Sequence, residues 1–133
     1  MKTSNTGTVG RRGAAAFVAA LAIALSTLFA APAAQANPNQ PNIGLWSTNH
    51  DGVRCAQWAY NSVAGQGLDP DGQYGPLTEQ ATRNWQRFFG LSVDGVIGKD
   101  TGQSIIDMVF LKFGTNNTWA LYCPYYLPSH RSY

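Results

Sequence analysis

The chain has 133 residues, a formal net charge of +2 and two cysteines, which suit one small domain with a modest core. Three of its nine basic residues lie in a predicted leader; the six that remain, against seven acidic residues, leave the mature part at −1. So small a charge would not attract a polyanion or an anionic membrane surface. The composition therefore argues against nucleic acid as a partner, and against the membrane once the leader is removed.

The first 36 residues are predicted to be a secretory signal peptide. Lys2, Arg11 and Arg12 give a basic start, residues 14–31 are apolar or small, and Ala34-Gln35-Ala36 has the pattern of a cleavage site. The apolar run is also just long enough for a retained membrane anchor. The adjacent arginines leave a twin-arginine export route open beside the general secretory one. We expect the mature protein to be a secreted monomer.

Two segments follow the leader. Residues 37–52 are rich in Asn, Pro and Gly and are predicted to form an extended arm. Residues 53–64 are predicted to form a helix that ends at Gly65. Its apolar positions recur at helical spacing: Val53, Ala56, Tyr60 and Val63.

Two further helices and an extension complete the chain. Residues 76–89 form the clearest predicted helix, with Pro76 at its first position, and residues 99–113 form the next. The extension, residues 114–133, is aromatic and contains two prolines. The apolar faces of the two helices are predicted to hold Ala81, Trp85, Phe88 and Phe89 in one and Ile105, Ile106, Val109 and Phe113 in the other.

A phrase of the form Asp-Gly-x-x-Gly-x-x-Thr occurs twice, each time just before a predicted helix. The first copy is Asp71, Gly72, Gly75 and Thr78, and the second is Asp94, Gly95, Gly98 and Thr101. Asp-Gly favours a tight turn. The second glycine of each copy is expected to need a positive φ, and the threonine hydroxyl to bond the open backbone groups of the loop and helix start. We interpret the phrase as a structural adaptor between turn and helix rather than as a ligand site.

The two cysteines, Cys55 and Cys123, both lie in the part predicted to be exported. Cysteines in an oxidising compartment usually pair, and this bridge would fasten the extension to the first helix. Two free thiols are the alternative. A metal site made of both cysteines with His50 and His130 is a further one, although the two histidines lack ligand spacing. We predict no metal and no cofactor.

Three segments resemble the peptidoglycan-binding-like domain family: VRCAQWAYN, DGQYGPLTEQATRNWQRFFGL and VDGVIGKDTGQSI. The resemblance covers about residues 53–109 and implies an all-α fold, a small three-helix bundle, here with a disulfide-tethered extension. We take residues 53–113 as the domain. Positions that match the family pattern are Val53, Gln57, Asn61, Asp71, Gly72, Gly75, Thr78, Ala81, Gln86, Gly90, Leu91, Asp94, Gly95, Gly98 and Thr101.

The chain departs from that pattern at a few positions. Ala56 replaces a bulky residue, Thr82 an aliphatic one, and Gly102 stands where an aromatic is common. We expect the aromatic extension to fill the space that Ala56 and Gly102 leave in the core.

The resemblance also implies a function. Members of the family usually hold a wall-cutting catalytic domain on peptidoglycan, and this chain is similar to that module exported alone. The resemblance therefore implies a secreted or cell-wall-associated protein, with peptidoglycan as its partner and a separate wall enzyme as a candidate second partner. The rival interpretation is a secreted interaction or inhibitor protein directed at a wall hydrolase or a protease. The positions of the two segments that flank the domain distinguish these interpretations. If the segments cover the groove of the domain, the inhibitor interpretation is favoured, and if they leave the groove open, peptidoglycan binding is favoured.

We predict no enzymatic activity. A glycosidase generally needs two carboxyl groups, and Glu79, the sole glutamate, lies in the first turn of its helix, where a negative residue is ordinary. The ligand-contacting residues are predicted on the polar side of the second helix and in the loop before it, where forked donors and an aromatic face suit sugars and short peptides. They are Tyr74, Arg83, Gln86 and Arg87. Trp46, Tyr125 and Tyr126, outside the helices, would either stack on sugars or plug the core.

Overall fold

The computed structural model describes residues 37–132. The predicted signal peptide, with its membrane-anchor and export-route alternatives, lies outside these residues. Four helices follow one another: α1 (His50–Ala64), α2 (Pro76–Phe88), α3 (Lys99–Phe113) and α4 (Thr118–Tyr126). The predicted all-α class is confirmed, and α4 is an addition within the predicted extension.

The first helix begins three residues earlier than predicted. Asn49 is its N-cap, and the Asn49 side chain accepts a hydrogen bond from the Gly52 N–H at 2.9 Å. The predicted boundary at Val53 was wrong because the Gly in the first turn concealed the helix start. Gly65 ends the helix in the left-handed conformation, with its N–H bonded to the Asn61 carbonyl.

The core lies between α1, α2 and α3, and α4 closes it by packing on α1 and α3. Most of the predicted apolar faces are buried. Two of the predicted core-facing residues are exposed instead: Phe88 of α2 at 82% and Phe113 of α3 at 44%. The largest fully buried side chains are Trp85, Tyr60, Ile43, Ile97, Ile105, Ile106, Leu127, Gln57, Gln86, Val53, Val109 and Thr82.

The predicted disulfide between Cys55 and Cys123 is present, with a Cα–Cα distance of 5.5 Å. Both thiols are therefore used, which removes them from the alternative metal site. Beside the bridge, the Trp119 indole N–H donates to the Cys55 carbonyl at 3.0 Å. The bridge and this bond fasten α4 onto α1.

The extension fills the space beside Gly102, as expected. A Cβ at Gly102 would lie 1.9 Å from the Pro128 carbonyl oxygen, so the chain after α4 occupies the place where an aromatic is common in the family pattern. Leu127, just before it, is fully buried.

The N-terminal arm is also fixed to the domain. Ile43 pairs with Ile97 in an isolated antiparallel bridge, through backbone N–H···O distances of 3.0 and 2.9 Å. Two side chains reach the extension: the Gln40 amide donates to the Tyr125 carbonyl and the Asn49 amide to the Tyr126 carbonyl. Among residues 37–132, no helix is long and apolar enough to cross a membrane.

Candidate functional site

The first copy of the repeated phrase closes around a buried glutamine of α1. Gln57 is 2% exposed, and its Nε2 donates to Asp71 Oδ1, the Gln73 carbonyl and Thr78 Oγ1 at 2.9–3.1 Å. Its Oε1 accepts from the Gly72 N–H at 2.9 Å. The Gln57 side chain thus supplies hydrogen-bond partners to the polar groups of the turn, and it joins the turn to the start of α2.

The second copy repeats this arrangement with Gln86 of α2. Gln86 is 1% exposed, and its Nε2 donates to Asp94 Oδ1, the Val96 carbonyl and Thr101 Oγ1 at 2.8–3.1 Å. Its Oε1 accepts from the Gly95 N–H at 3.0 Å. Each helix therefore supplies a glutamine that holds the next turn, which supports the structural interpretation of the repeat.

The glycines of the repeat differ from expectation in one respect. Gly72 and Gly95 have φ values of 79° and 71°, in the left-handed region. Gly75 and Gly98 are N-caps with φ values of −93° and −87°. The expectation of a positive φ at this second pair was wrong, because the turn reverses at Asp-Gly and the backbone is already extended when it reaches the helix.

The Asp71 carboxylate is held by local donors. The Gln73 N–H, at 2.8 Å, and the Gln57 amide lower the pKa of Asp71 below its ordinary value. Thr78 acts as predicted, because its hydroxyl donates to the Gln73 carbonyl at 3.3 Å.

Tyr74, a predicted ligand contact, points into the interior. It is 6% exposed, and its hydroxyl donates to the Gly95 carbonyl at 2.6 Å and lies 2.7 Å from Thr82 Oγ1. Burial raises the pKa of Tyr74 to about 12. The Thr82 hydroxyl donates to the Thr78 carbonyl at 2.9 Å and accepts from the Tyr60 hydroxyl at 3.1 Å. Both hydroxyls that this chain adds to the apolar positions of the family pattern therefore have partners.

The two predicted arginines lie on the surface. Arg83 binds Glu79 Oε1 through Nε and Nη2 at 3.2 and 2.8 Å, and donates to the Val93 carbonyl at 3.0 Å. Arg87 is exposed, and its guanidinium contacts Asn84 at 2.9 Å. Of the four predicted ligand contacts, these two are accessible, whereas Tyr74 and Gln86 hold the second turn from inside.

A groove lies beside Arg83, between the arm and the turn before α3. Its volume is about 410 Å³. We call it the Trp46 groove; its lining is Asn42, Gly44, Leu45, Trp46, Ser47, Glu79, Asp94, Gly95 and Val96. Trp46 is 91% exposed, so the structure resolves its two predicted roles in favour of a surface position.

Two apolar grooves lie elsewhere on the described residues. One, of about 490 Å³, runs between α1 and α4 beside Trp58, Phe113, Trp119 and Tyr122. The other, of about 590 Å³, lies where α1, α2 and α3 end and includes Phe88 and Leu111. Among residues 37–132, no three His, Cys, Asp or Glu side chains lie together as a possible metal site.

The chain has matches among known proteins. Residues 49–105 match the family model described as "Putative peptidoglycan binding domain". A relative from Kitasatospora aureofaciens, named "Uncharacterized protein in bpoA1 3'region", is 43% identical over 49 residues, which are 36% of this chain and 42% of that protein. The alignment thus spans less than half of the relative. No solved structure matches the chain.

The glutamine-held turns, α1, α2 and the first half of α3 lie within the matched segment. The rest of α3, α4 and the residues before Asn49 lie outside it. Residues 49–105 are therefore similar to a peptidoglycan-binding domain.

Proposed function

We propose that the protein is a secreted, non-catalytic module that binds bacterial cell-wall peptidoglycan, with residues 53–113 as the binding domain. The observation that carries this proposal is the open face of α2. The extension packs on α1 and α3, so Arg83, Arg87 and the Trp46 groove remain accessible beside one another.

This arrangement favours wall binding over the rival role of an inhibitor. A flanking segment that acted on another protein through the same scaffold would be expected to occupy or mask this face. Here the arm instead forms one side of the Trp46 groove, and Trp46 projects into solvent. An open groove with an aromatic surface and a few polar groups suits a small repeating ligand.

The site provides binding groups without an evident catalytic pair. Glu79 is engaged with Arg83 at 2.8 Å, and Asp94 accepts from Gln86 and from the Val96 N–H. Both carboxylates thus have structural partners. A separate wall-cutting enzyme would supply the chemistry where it is needed.

The test is co-sedimentation of the exported protein with purified insoluble sacculi. The protein is expected to pellet, and modest salt is expected to release little of it, because a net charge near −1 gives no strong general attraction. Complete recovery in the supernatant with sacculi in excess would reject the proposal. Pelleting that disappears with modest salt would show charge-driven adsorption instead.

A further inference from the structure

We infer that the Trp46 groove is a sugar-binding subsite that takes the glycan strand of the wall rather than its stem peptides. The inference rests on the peptidoglycan binding proposed above. Its first support is the indole itself. Trp46 is 91% exposed, whereas Trp85 and Trp119 are 1% and 7% exposed. A free indole offers a flat apolar face to the C–H face of a pyranose ring, while the ring hydroxyls stay at its edge.

The backbone around Trp46 is held in place before any ligand arrives. The Ser47 N–H bonds the Gly44 carbonyl at 2.9 Å, so Leu45 and Trp46 are the central residues of a tight turn. Directly before this turn, Ile43 is fully buried and bonded to Ile97 at both backbone groups. Because the turn is fixed, less backbone order has to be gained on binding.

The polar lining of the groove suits hydroxyl donors. Glu79 and Asp94 contribute carboxylates, which accept hydrogen bonds and cannot donate them when ionised. The Arg83 bonds use Oε1 of Glu79, and the bonds from Gln86 and Val96 use Oδ1 of Asp94. Each carboxylate has a second oxygen that these bonds do not use, and sugar hydroxyls can donate to it.

The same charges disfavour a ligand that is rich in carboxylates. The cation nearest the two acids, Arg83, is already paired with Glu79 at 2.8 Å. A stem peptide brings free carboxylates, which two lining acids would repel. The glycan strand of the intact wall has no such penalty, because its muramyl carboxyls are bound in amides, so the groove favours the glycan over the stem peptides.

The subsite is a property of this chain. Residues 42–47, which form the Trp46 side of the groove, precede the matched residues 49–105. The opposite side comes from α2 and from the second turn, whose position Gln86 fixes. The arm therefore forms one side of the groove, and the domain supplies the other side.

The experiment compares three probes with the full chain expressed for export and purified. They are intact sacculi, glycan strands freed of stem peptides by an amidase and then amidated at the muramyl carboxylates so released, and the released stem peptides. The variants are Trp46→Ala, Trp46→Phe and, as a matched control, Phe88→Ala. Phe88 is also exposed, but it lines a different groove. Melting temperatures are measured for every variant.

The wild-type protein is expected to bind peptide-free glycan nearly as well as sacculi and to ignore the stem peptides. Trp46→Ala should weaken glycan binding by about tenfold or more, as truncation of a central tryptophan commonly does. Trp46→Phe should lose less, and Phe88→Ala should bind normally. All three should melt within a few degrees of wild type, since the indole makes little contact with the core.

Several outcomes would overturn the inference. Binding to sacculi and stem peptides but not to free glycan would reject the sugar subsite and leave the proposed function intact. Normal glycan binding by Trp46→Ala, or loss of it in Phe88→Ala, would place the contact elsewhere. Failure of the wild-type protein to bind any of the three probes would reject the proposed function as well.

Discussion

Replacing Gln86 by alanine tests whether the second turn depends on this one side chain. Its amide is fully engaged: Nε2 reaches Asp94, Val96 and Thr101, and Oε1 holds the Gly95 N–H. Because the site is 1% exposed, water cannot replace these bonds without opening the turn.

The expected loss follows from those contacts. A net hydrogen bond contributes about 0.5–1.5 kcal/mol, and a buried donor left without a partner costs about 1–3 kcal/mol. The bonds share two N–H groups and one oxygen, so we expect a total of about 3 kcal/mol in the free energy of unfolding. For a domain of this size that corresponds to a fall in melting temperature on the order of 15 °C.

Thermal unfolding followed by circular dichroism measures this loss, with Gln80→Ala as the matched control. Gln80 lies on the same helix, but it is exposed, and its amide donates to Asn84 Oδ1 one turn further along at 3.0 Å. Its replacement should change stability by less than about 0.5 kcal/mol. If Gln86→Ala kept the wild-type melting temperature yet no longer bound sacculi, Gln86 would be a ligand contact and the structural explanation of the repeat would be refuted.

Three further predictions concern the turn, the bridge and acid stability. Gly72→Ala should destabilise the fold by about 1–3 kcal/mol, because φ is 79° and the new Cβ would lie 2.8 Å from the His50 carbonyl oxygen. Gly75→Ala should have nearly the wild-type melting temperature, since φ is −93° at this position and its Cβ would meet nothing within 4 Å. Reductant should lower the melting temperature and expose residues 114–132 to protease before the helices of the core. The bridge joins residues 68 positions apart, and closing a loop of that length contributes about 4 kcal/mol to the free energy of unfolding. Equal digestion with and without reductant would contradict this. The pKa of Asp71 is lowered in the folded protein, so its carboxylate should stabilise the fold fully above the ordinary pKa of 3.8. This stabilisation should be lost as the pH falls through the folded-state pKa. In urea unfolding at a series of acidic pH values, the free energy of unfolding should therefore decline less steeply for Asp71→Asn than for wild type.

Local patterns predicted much of the framework because they depend on neighbouring residues. The Asp-Gly turns, Pro76 at the start of α2 and Gly65 after α1 each act within a few residues of their own position. The bridge followed from compartment and cysteine number. These features need no knowledge of how distant segments meet.

The missed features all depend on long-range contacts. A helical wheel puts Gln86 on the polar face of α2 with Arg83 and Arg87, and it cannot show that the following loop folds over only one of the three. Phe88 is apolar but lies beyond the area that α1 and α3 cover. α4 was missed because Pro124 lies inside it, and packing on α1 and α3 overrides that local cost.

The Trp46 groove could not be predicted for the same reason. Residues 42–47 and 94–96 are far apart in sequence, and only the pairing of Ile43 with Ile97 brings them together. The sequence offered Trp46 as a candidate for stacking but not its neighbours, Glu79 and Asp94.

The central claim, specific binding to peptidoglycan, is tested most directly by competition. The exported protein is bound to insoluble sacculi, and peptidoglycan solubilised by enzymatic digestion is added in increasing amounts. We expect saturable binding that the soluble fragments reverse, at a concentration that salt changes little. Protein that stays in the supernatant throughout, or that pellets and is not displaced by any amount of soluble fragments, would contradict the account.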